Sequence, residues 1–320
     1  MPQPVPYKDS PYSSQITRAP KLLFQKKVAH SRLNVILPHI NRSVAFGGVS
    51  SAVELGRILA RDYDQLRVLS LYPLPGQEER IPGHELAPQS MLGSPESFSV
   101  EYLSPGQPLK VHSRETFLCT FWSSVPAWEA YRDLLQSRGL PSRPFLYFIQ
   151  DFEPGFYPFG HKYTRSMATY GHGSDCHAIL NSRELASFFA SSGFSFASTT
   201  VLPPSLNPKI RSYLDSHSWK LPAKPDSPLT ILIYGRPDQP RNCFPAIVEG
   251  LDRFFRSLPS EQCADMACMS LGSVSPHPDL ALANQVHLKW MGKLPIDRYC
   301  SLMAVSHVGV SFMASPHPSY

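Results

Sequence analysis

Apolar positions follow two alternating rhythms along the chain: short continuous runs, and longer stretches with helical spacing. Leu33–Leu37 reads as a buried strand, followed by the small-residue turn Phe46-Gly47-Gly48-Val49-Ser50-Ser51. Val53, Leu55, Ile58 and Leu59 then mark one face of a helix, and Leu66–Leu71 a second strand. Strand, turn, helix and strand form the unit of a parallel α/β sheet. The rhythm continues with a strand over Glu115–Trp122 and a helix over Ala127–Ser137 that carries Trp128, Tyr131 and Leu135. Phe145–Gln150 (FLYFIQ) reads as a strand that is apolar up to Ile149, as a strand buried on both faces requires. A helix is expected over His161–Tyr170, a strand over His177–Leu180 and a helix over Arg183–Ala190. The pattern restarts at Leu229–Tyr234 (strand), Phe244–Leu258 (helix) and Asp265–Leu271 (strand). It goes on with Val286–Met291 (strand), Ile296–Val305 (helix) and Val308–Met313 (strand).

Proline is the compositional oddity, at 33 of 320 residues, and its stretches divide the chain. The expected parts are a flexible arm over 1–30, an α/β domain over 31–204, a Pro-rich linker over 205–228, and a second α/β domain over 229–320. The second block stops directly after a strand, where a parallel sheet calls for a returning helix. The chain is therefore expected to be truncated and its second domain incomplete. No run of about 18 apolar residues would span a membrane, and the N-terminus lacks the cationic start and apolar run of a secretory signal. A cytoplasmic protein is expected. The net charge of +5 suits an anionic small substrate or a peripheral contact at the inner membrane face, and equally an ordinary solvated surface. No Lys/Arg block of nucleic-acid type occurs. The six cysteines are scattered without a CxxC pair, which predicts reduced, buried thiols. The GxGxxG fingerprint is absent, against an NAD enzyme, as is the GxSxG elbow. Asp62-Tyr63-Asp64 spells DxD but falls at a helix end. His172, Asp175, Cys176 and His177 span a turn and a strand start, a poor fit to a tetrahedral zinc site. Neither metal nor cofactor is expected.

Five segments in order carry a family likeness: YFIQDFEPGFYPFG (147–160), AILNSRELASFF (178–189), IYGRPDQPRNCF (233–244), WMGKLPIDRY (290–299) and GVSFMASPHPSY (309–320). Together they resemble WsaF-type rhamnosyltransferases, bacterial enzymes of the glycosyltransferase family 4 kind. The likeness runs from about Leu33 to Tyr320 and is vague over 72–112. It implies a GT-B fold, two Rossmann-like domains facing a cleft. It also implies a deoxythymidine-diphosphate rhamnose donor, a glycan or lipid-linked glycan acceptor, and transfer with retention in surface-polysaccharide or S-layer glycan synthesis. The alternatives are a retaining transferase using another nucleotide-diphospho-sugar, and a non-catalytic binding or scaffold remnant. In the family an acidic residue follows the SPHPSY-like loop. The sequence stops at Tyr320, before it.

Sugar transfer from a nucleotide diphosphate needs donors at the leaving diphosphate, where charge builds, and in parallel sheets ligands sit beyond the carboxyl ends of the strands. Candidate residues are those just after strands. Gly235 allows close backbone approach and Arg236 offers a planar fork of donors, with Arg241 near the next helix. The plain alternative is a polar turn. Gly292 and Lys293 follow the strand at 286–291, and Arg236 and Lys293 are expected at adjacent strand ends. By resemblance Ser315, His317, Ser319 and Tyr320 lie beside the donor. On the acceptor side, Gly47 and Gly48 open a helix N-terminus, which favours an anion but equally suits a tight turn. Asp151 ends the FLYFIQ strand, and in related enzymes an acidic residue here faces the acceptor and donor sugar. Glu153 is two residues on. A turn-forming role for Asp151 ahead of Pro154 is the alternative. Asn181 and Ser182 read as a helix cap.

Overall fold

The computed structural model describes residues 19–41, 47–71, 81–94, 96–103, 107–203, 206, 208–216, 229–273 and 277–315. The chain divides into two compact units, one built on Met1–Pro204 and the other on Ser205–Pro316.

The first unit is a parallel sheet of β2 (Arg32–Leu37), β3 (Gln65–Ser70), β4 (Phe98–Tyr102), β6 (Glu115–Cys119), β7 (Phe145–Ile149), β8 (Cys176–Leu180) and β9 (Ser198–Val201). Their spatial order is β4-β3-β2-β6-β7-β8-β9. Chain order thus runs outward from β2 to one side, then resumes at β6 on the other. That reversal is the topological switch point at which open α/β sheets bind ligands. Two clusters of buried residues line the sheet. One gathers Phe117, Phe145 and Tyr147 with Trp128, Tyr131 and Leu135 of α4 (Val125–Gln136) and with Leu185 and Phe189 of α6 (Arg183–Ser191). The other gathers Leu33, Val35 and Val68 with Ala52 and Leu55 of α1 (Gly47–Leu59), with Leu86 of α2 (Gly83–Leu86), and with Met91 of α3 (Gln89–Leu92). Burial on both faces explains why Val35–Leu37 of β2 and the whole of β7 read as apolar runs.

The second unit repeats the logic on a smaller scale. β10 (Leu229–Tyr234), β11 (Met266–Leu271), β13 (His287–Trp290) and β14 (Val308–Val310) are parallel, and β12 (Leu280–Ala281) pairs antiparallel at the edge. The order β12-β13-β11-β10-β14 again reverses, here between β10 and β14. The helix α8 (Phe244–Arg256) packs Phe244, Ile247, Leu251 and Phe255 against Ile231, Ile233 and Leu288.

Two expectations need correction. Residues 1–30 are not wholly a free arm: β1 (Leu22–Phe24) pairs in parallel with β5 (Leu109–Val111), and the Arg138 guanidinium lies 4.7 Å above the Phe24 ring. Nor is 205–228 only a linker. It contains α7 (Pro208–Ser216), whose Tyr213 hydroxyl lies 3.0 Å from Ser301 Oγ on α10 (Ile296–Val305). The Pro-rich composition around α7 hid a short amphipathic pattern that has a packing partner. The helix α5 (His161–Ala168) and the strand β14 (Val308–Val310) each end short of the expected Tyr170 and Met313.

Candidate active site

In the second unit the strand ends at the switch point carry the glycine-arginine turn. Gly235 donates its N–H to Leu271 O at 2.9 Å. A Cβ at this position would overlap Ser270 Oγ and come within 3.0 Å of the Phe244 ring, so only glycine lets the chain leave β10 here. Gly272, after β11, has φ +98°, and a side chain there would meet Tyr234 at 2.7 Å and the Arg236 stem at 3.3 Å. Arg236 is thereby laid half-buried along two glycine-lined turns. Arg241 O accepts from Ala314 N at 2.6 Å, which brings the Arg241 turn beside Ser315 in the segment after β14. Arg236, Arg241 and Ser315 therefore gather around one strand reversal.

Lys293 is placed differently from expectation. It is exposed, beyond the left-handed Gly292 (φ +64°). Its strand β13 borders β11 rather than β10. Arg236 and Lys293 are thus not at adjacent strand ends; one strand intervenes, about 10 Å in all. His317, Ser319 and Tyr320 fall outside the described residues.

Other residues at this edge were not singled out by sequence. The His277 ring lies 4.6 Å from Trp290, its Nε2 is 3.0 Å from Ser273 Oγ and 3.6 Å from the Asp238 carboxylate. These contacts tie the loops after β10 and β11 to the end of β13. Ser270 Oγ and Asn242 Nδ2 are buried without a hydrogen-bond partner among the described residues. Buried polar groups are rarely left so, and both are available to a bound polar molecule. No periodicity marks them; only strand order brings them together.

In the first unit, Gly47 and Gly48 open α1, and Gly48 lies against the Gln150 carboxamide, 2.9 Å from where its Cβ would be. The positive end of α1 is thereby set at the carboxyl end of β7. Asp151 follows, 6% exposed, with Oδ1 accepting from its neighbour Phe152 N at 2.8 Å. Glu153 is 3% exposed. Its Oε2 accepts from Trp122 N at 2.6 Å, so its carboxyl is engaged inside the protein rather than presented to an acceptor. Burial, then the neighbouring Asp151 charge, push the Glu153 carboxyl well above the usual range. Asn181 donates Nδ2 to Gln150 O at 2.8 Å, and Ser182 Oγ accepts from Leu185 N at 3.0 Å as the cap of α6. His39 is an addition from the structure. It follows β2 at the switch point, its Nδ1 is buried without a hydrogen-bond partner among the described residues, and burial lowers its pKa, which favours a neutral imidazole.

The two sequence lures have structural occupations. Asp64 Oδ2 accepts from Ser31 N and Oγ at 2.6 and 2.8 Å. His172 pairs with Glu129 at 3.0 Å, and His177 Nδ1 lies 2.8 Å from Ser198 Oγ. Among the described residues no group of three or more His, Cys, Asp or Glu could hold a metal ion.

Both units thus set a glycine-led turn at a strand reversal, Gly47-Gly48 in the first and Gly235 in the second, and both also match one family in sequence. Residues 32–183 match the N-terminal domain of WsaF, and residues 229–320 match its C-terminal domain. The chain belongs to the WsaF family. It is a WsaF-type glycosyltransferase with a Rossmann-like α/β fold. The two matches occupy the two sheets in order, with Asp151 inside the first and Arg236, Arg241, Lys293 and Ser315 inside the second. None of the curated proteins matches the chain. No described helix is long and apolar enough to cross a membrane.

Proposed function

We propose that this WsaF-type glycosyltransferase is a retaining GT-B enzyme that moves L-rhamnose from deoxythymidine-diphosphate rhamnose onto a glycan or lipid-linked glycan, in cytoplasmic assembly of a surface polysaccharide. The observation that carries the reading is the convergence of Arg236, Arg241 and Ser315 on the β10–β14 reversal, with glycine at Gly235 where a side chain would collide. A diphosphate leaving group gathers negative charge as the glycosidic bond breaks, and fixed guanidinium forks stabilise it most where they are pre-positioned. Arg236 and Arg241 grip the diphosphate, and Ser315 and the Gly292-Lys293 turn complete the donor contacts. Asp151 acts on the sugar and acceptor, at the end of β7 beside the α1 N-terminus.

The two roles separate experimentally. Arg236→Ala removes a charge-assisted hydrogen bond worth about 1.5–3 kcal/mol. It should weaken calorimetric binding of deoxythymidine diphosphate about ten- to a hundredfold. Asp151→Asn should leave that affinity nearly intact and cut turnover in a transfer assay. Equal loss of nucleotide binding in both variants would refute this division. Tighter binding of uridine or guanosine diphosphate would reassign the donor while keeping the grip.

A further inference from the structure

The sequence Asp151-Phe152-Glu153 places two carboxyls at the end of one buried strand, 6% and 3% exposed. The groups packed against Glu153 come from three elements. From the turn after β6 comes the Trp122 amide, donating at 2.6 Å. From β7 comes the Tyr147 phenol, itself 3.1 Å from Thr169 Oγ1. From the turn after α5 comes Tyr170, whose hydroxyl accepts from Glu153 N at 3.2 Å and donates to Asp151 O at 3.5 Å. The remaining neighbour is Asp151 itself, of like charge. Among the described residues no cation lies against Glu153. A carboxylate buried with one amide donor, two phenols and a second carboxylate has little to offset its lost hydration.

We propose that Glu153 is a positioning residue held as an uncharged carboxylic acid, so that the pair carries a single negative charge, on Asp151, while Glu153 Oε2 fastens the Trp122 turn to the Asp151 loop. The role rests on the reading of Asp151 given under Proposed function. Its consequence is an alkaline limit. Glu153 ionises in the unfolded chain at the ordinary carboxyl pKa but stays protonated in the fold. Its contribution to stability is complete below that pKa and is lost as pH rises toward the folded value. Ionisation in the fold then sets two anions side by side and loosens the Trp122 turn.

The test uses the full chain and Glu153→Gln, which keeps an acceptor oxygen and cannot ionise. Its melting temperature relative to the wild type should rise steadily from mildly acidic to alkaline pH. A difference that does not change with pH overturns the proposal. Infrared spectra of the wild type at neutral pH should contain the carbonyl band of a protonated carboxylic acid, kept in Asp151→Asn and lost in Glu153→Gln. Absence of the band, or its loss in Asp151→Asn instead, also overturns it. In a transfer assay Glu153→Gln should lack the alkaline decline of the wild type. Glu153→Ala, which leaves the Trp122 amide unpaired, should turn over about tenfold more slowly than Glu153→Gln. The first two readouts need no sugar. If they hold while no protein transfers rhamnose, it is the proposed function that fails and not the protonation of Glu153.

Discussion

At the residue scale, the first unit is governed by a buried charge cluster at the amino ends of its central strands. Glu115, fully buried, accepts from Asn34 Nδ2 at 2.6 Å, from Arg67 Nη2 at 3.2 Å and from His112 N at 3.2 Å. Arg67, 1% exposed, also donates to Asn34 Oδ1 at 2.7 Å and Lys110 O at 2.7 Å. Strand register makes this feasible: Asn34 is opposite Arg67, and Arg32 opposite Glu115. In the sequence Asn34 and Arg67 are single polar residues inside apolar runs, and nothing there says that they meet. His112 closes the cluster. Burial, then the Arg32, His30, Arg67 and Arg114 charges, lower its pKa from 6.5 to about 4. A histidine depressed in the fold stabilises above its unfolded pKa, and that contribution is lost as pH falls through the folded value. Wild-type stability should therefore fall by on the order of 1–3 kcal/mol more than that of His112→Asn between those two pH values. Parallel pH–stability curves for the two proteins would show that His112 does not titrate there.

At the element scale, what fixes α1 against the sheet is a glycine. A Cβ on Gly56 would come within 2.9 Å of Val35 Cγ2 and 3.3 Å of Cγ1 on β2. Alanine is the better helix former by roughly 1 kcal/mol, yet here overpacking should win. Gly56→Ala is expected to lower stability by about 1–2 kcal/mol in denaturant titration, and a stabilised variant would show that α1 has room to shift. Long elements with two buried faces or a clear helical stripe were legible: β2, β3, β7, β10, α8 and α10 all stand near where the apolar pattern puts them. The Ser182 cap was legible too, because its hydrogen bond is local. β1, β5 and β9 were not. β1 and β5 are only three residues long, too short for the apolar run LLF or the alternation in LKV to stand out, and β9 is polar and mostly exposed. α7 was missed for another reason: its short amphipathic pattern lies in a Pro-rich stretch, and its packing partner, α10 with Ser301, is distant in the chain.

At the scale of the whole molecule, all six cysteines are free, and they report on both units. Cys119 and Cys176 lie in the first core, and Cys263, Cys268 and Cys300 are buried in the second unit. Burial raises the Cys176 and Cys268 thiols to about 12 and Cys119 higher still, which suppresses the reactive thiolate. Cys243 is only partly buried, at the left-handed cap of α8. An alkylating reagent should modify Cys243 first and the buried five about a hundredfold more slowly or less, until denaturant opens their unit. Mass mapping of the modified peptides checks this, and equal labelling of all six would contradict the packing. The sequence by itself determined that there are two α/β blocks, where most long strands and helices fall, and which glycine- and arginine-bearing turns follow strands, since all of these depend on periodicity and short-range chemistry. Only the tertiary structure decided the order of the strands. That order sets the β2–β6 and β10–β14 reversals, puts β11 between Arg236 and Lys293, and sets Ser315 beside Arg241. It also gave Glu153 to the Trp122 amide. These are pairings between residues far apart in the chain, and neither composition nor local pattern encodes which of the many compatible partners a buried polar group will find.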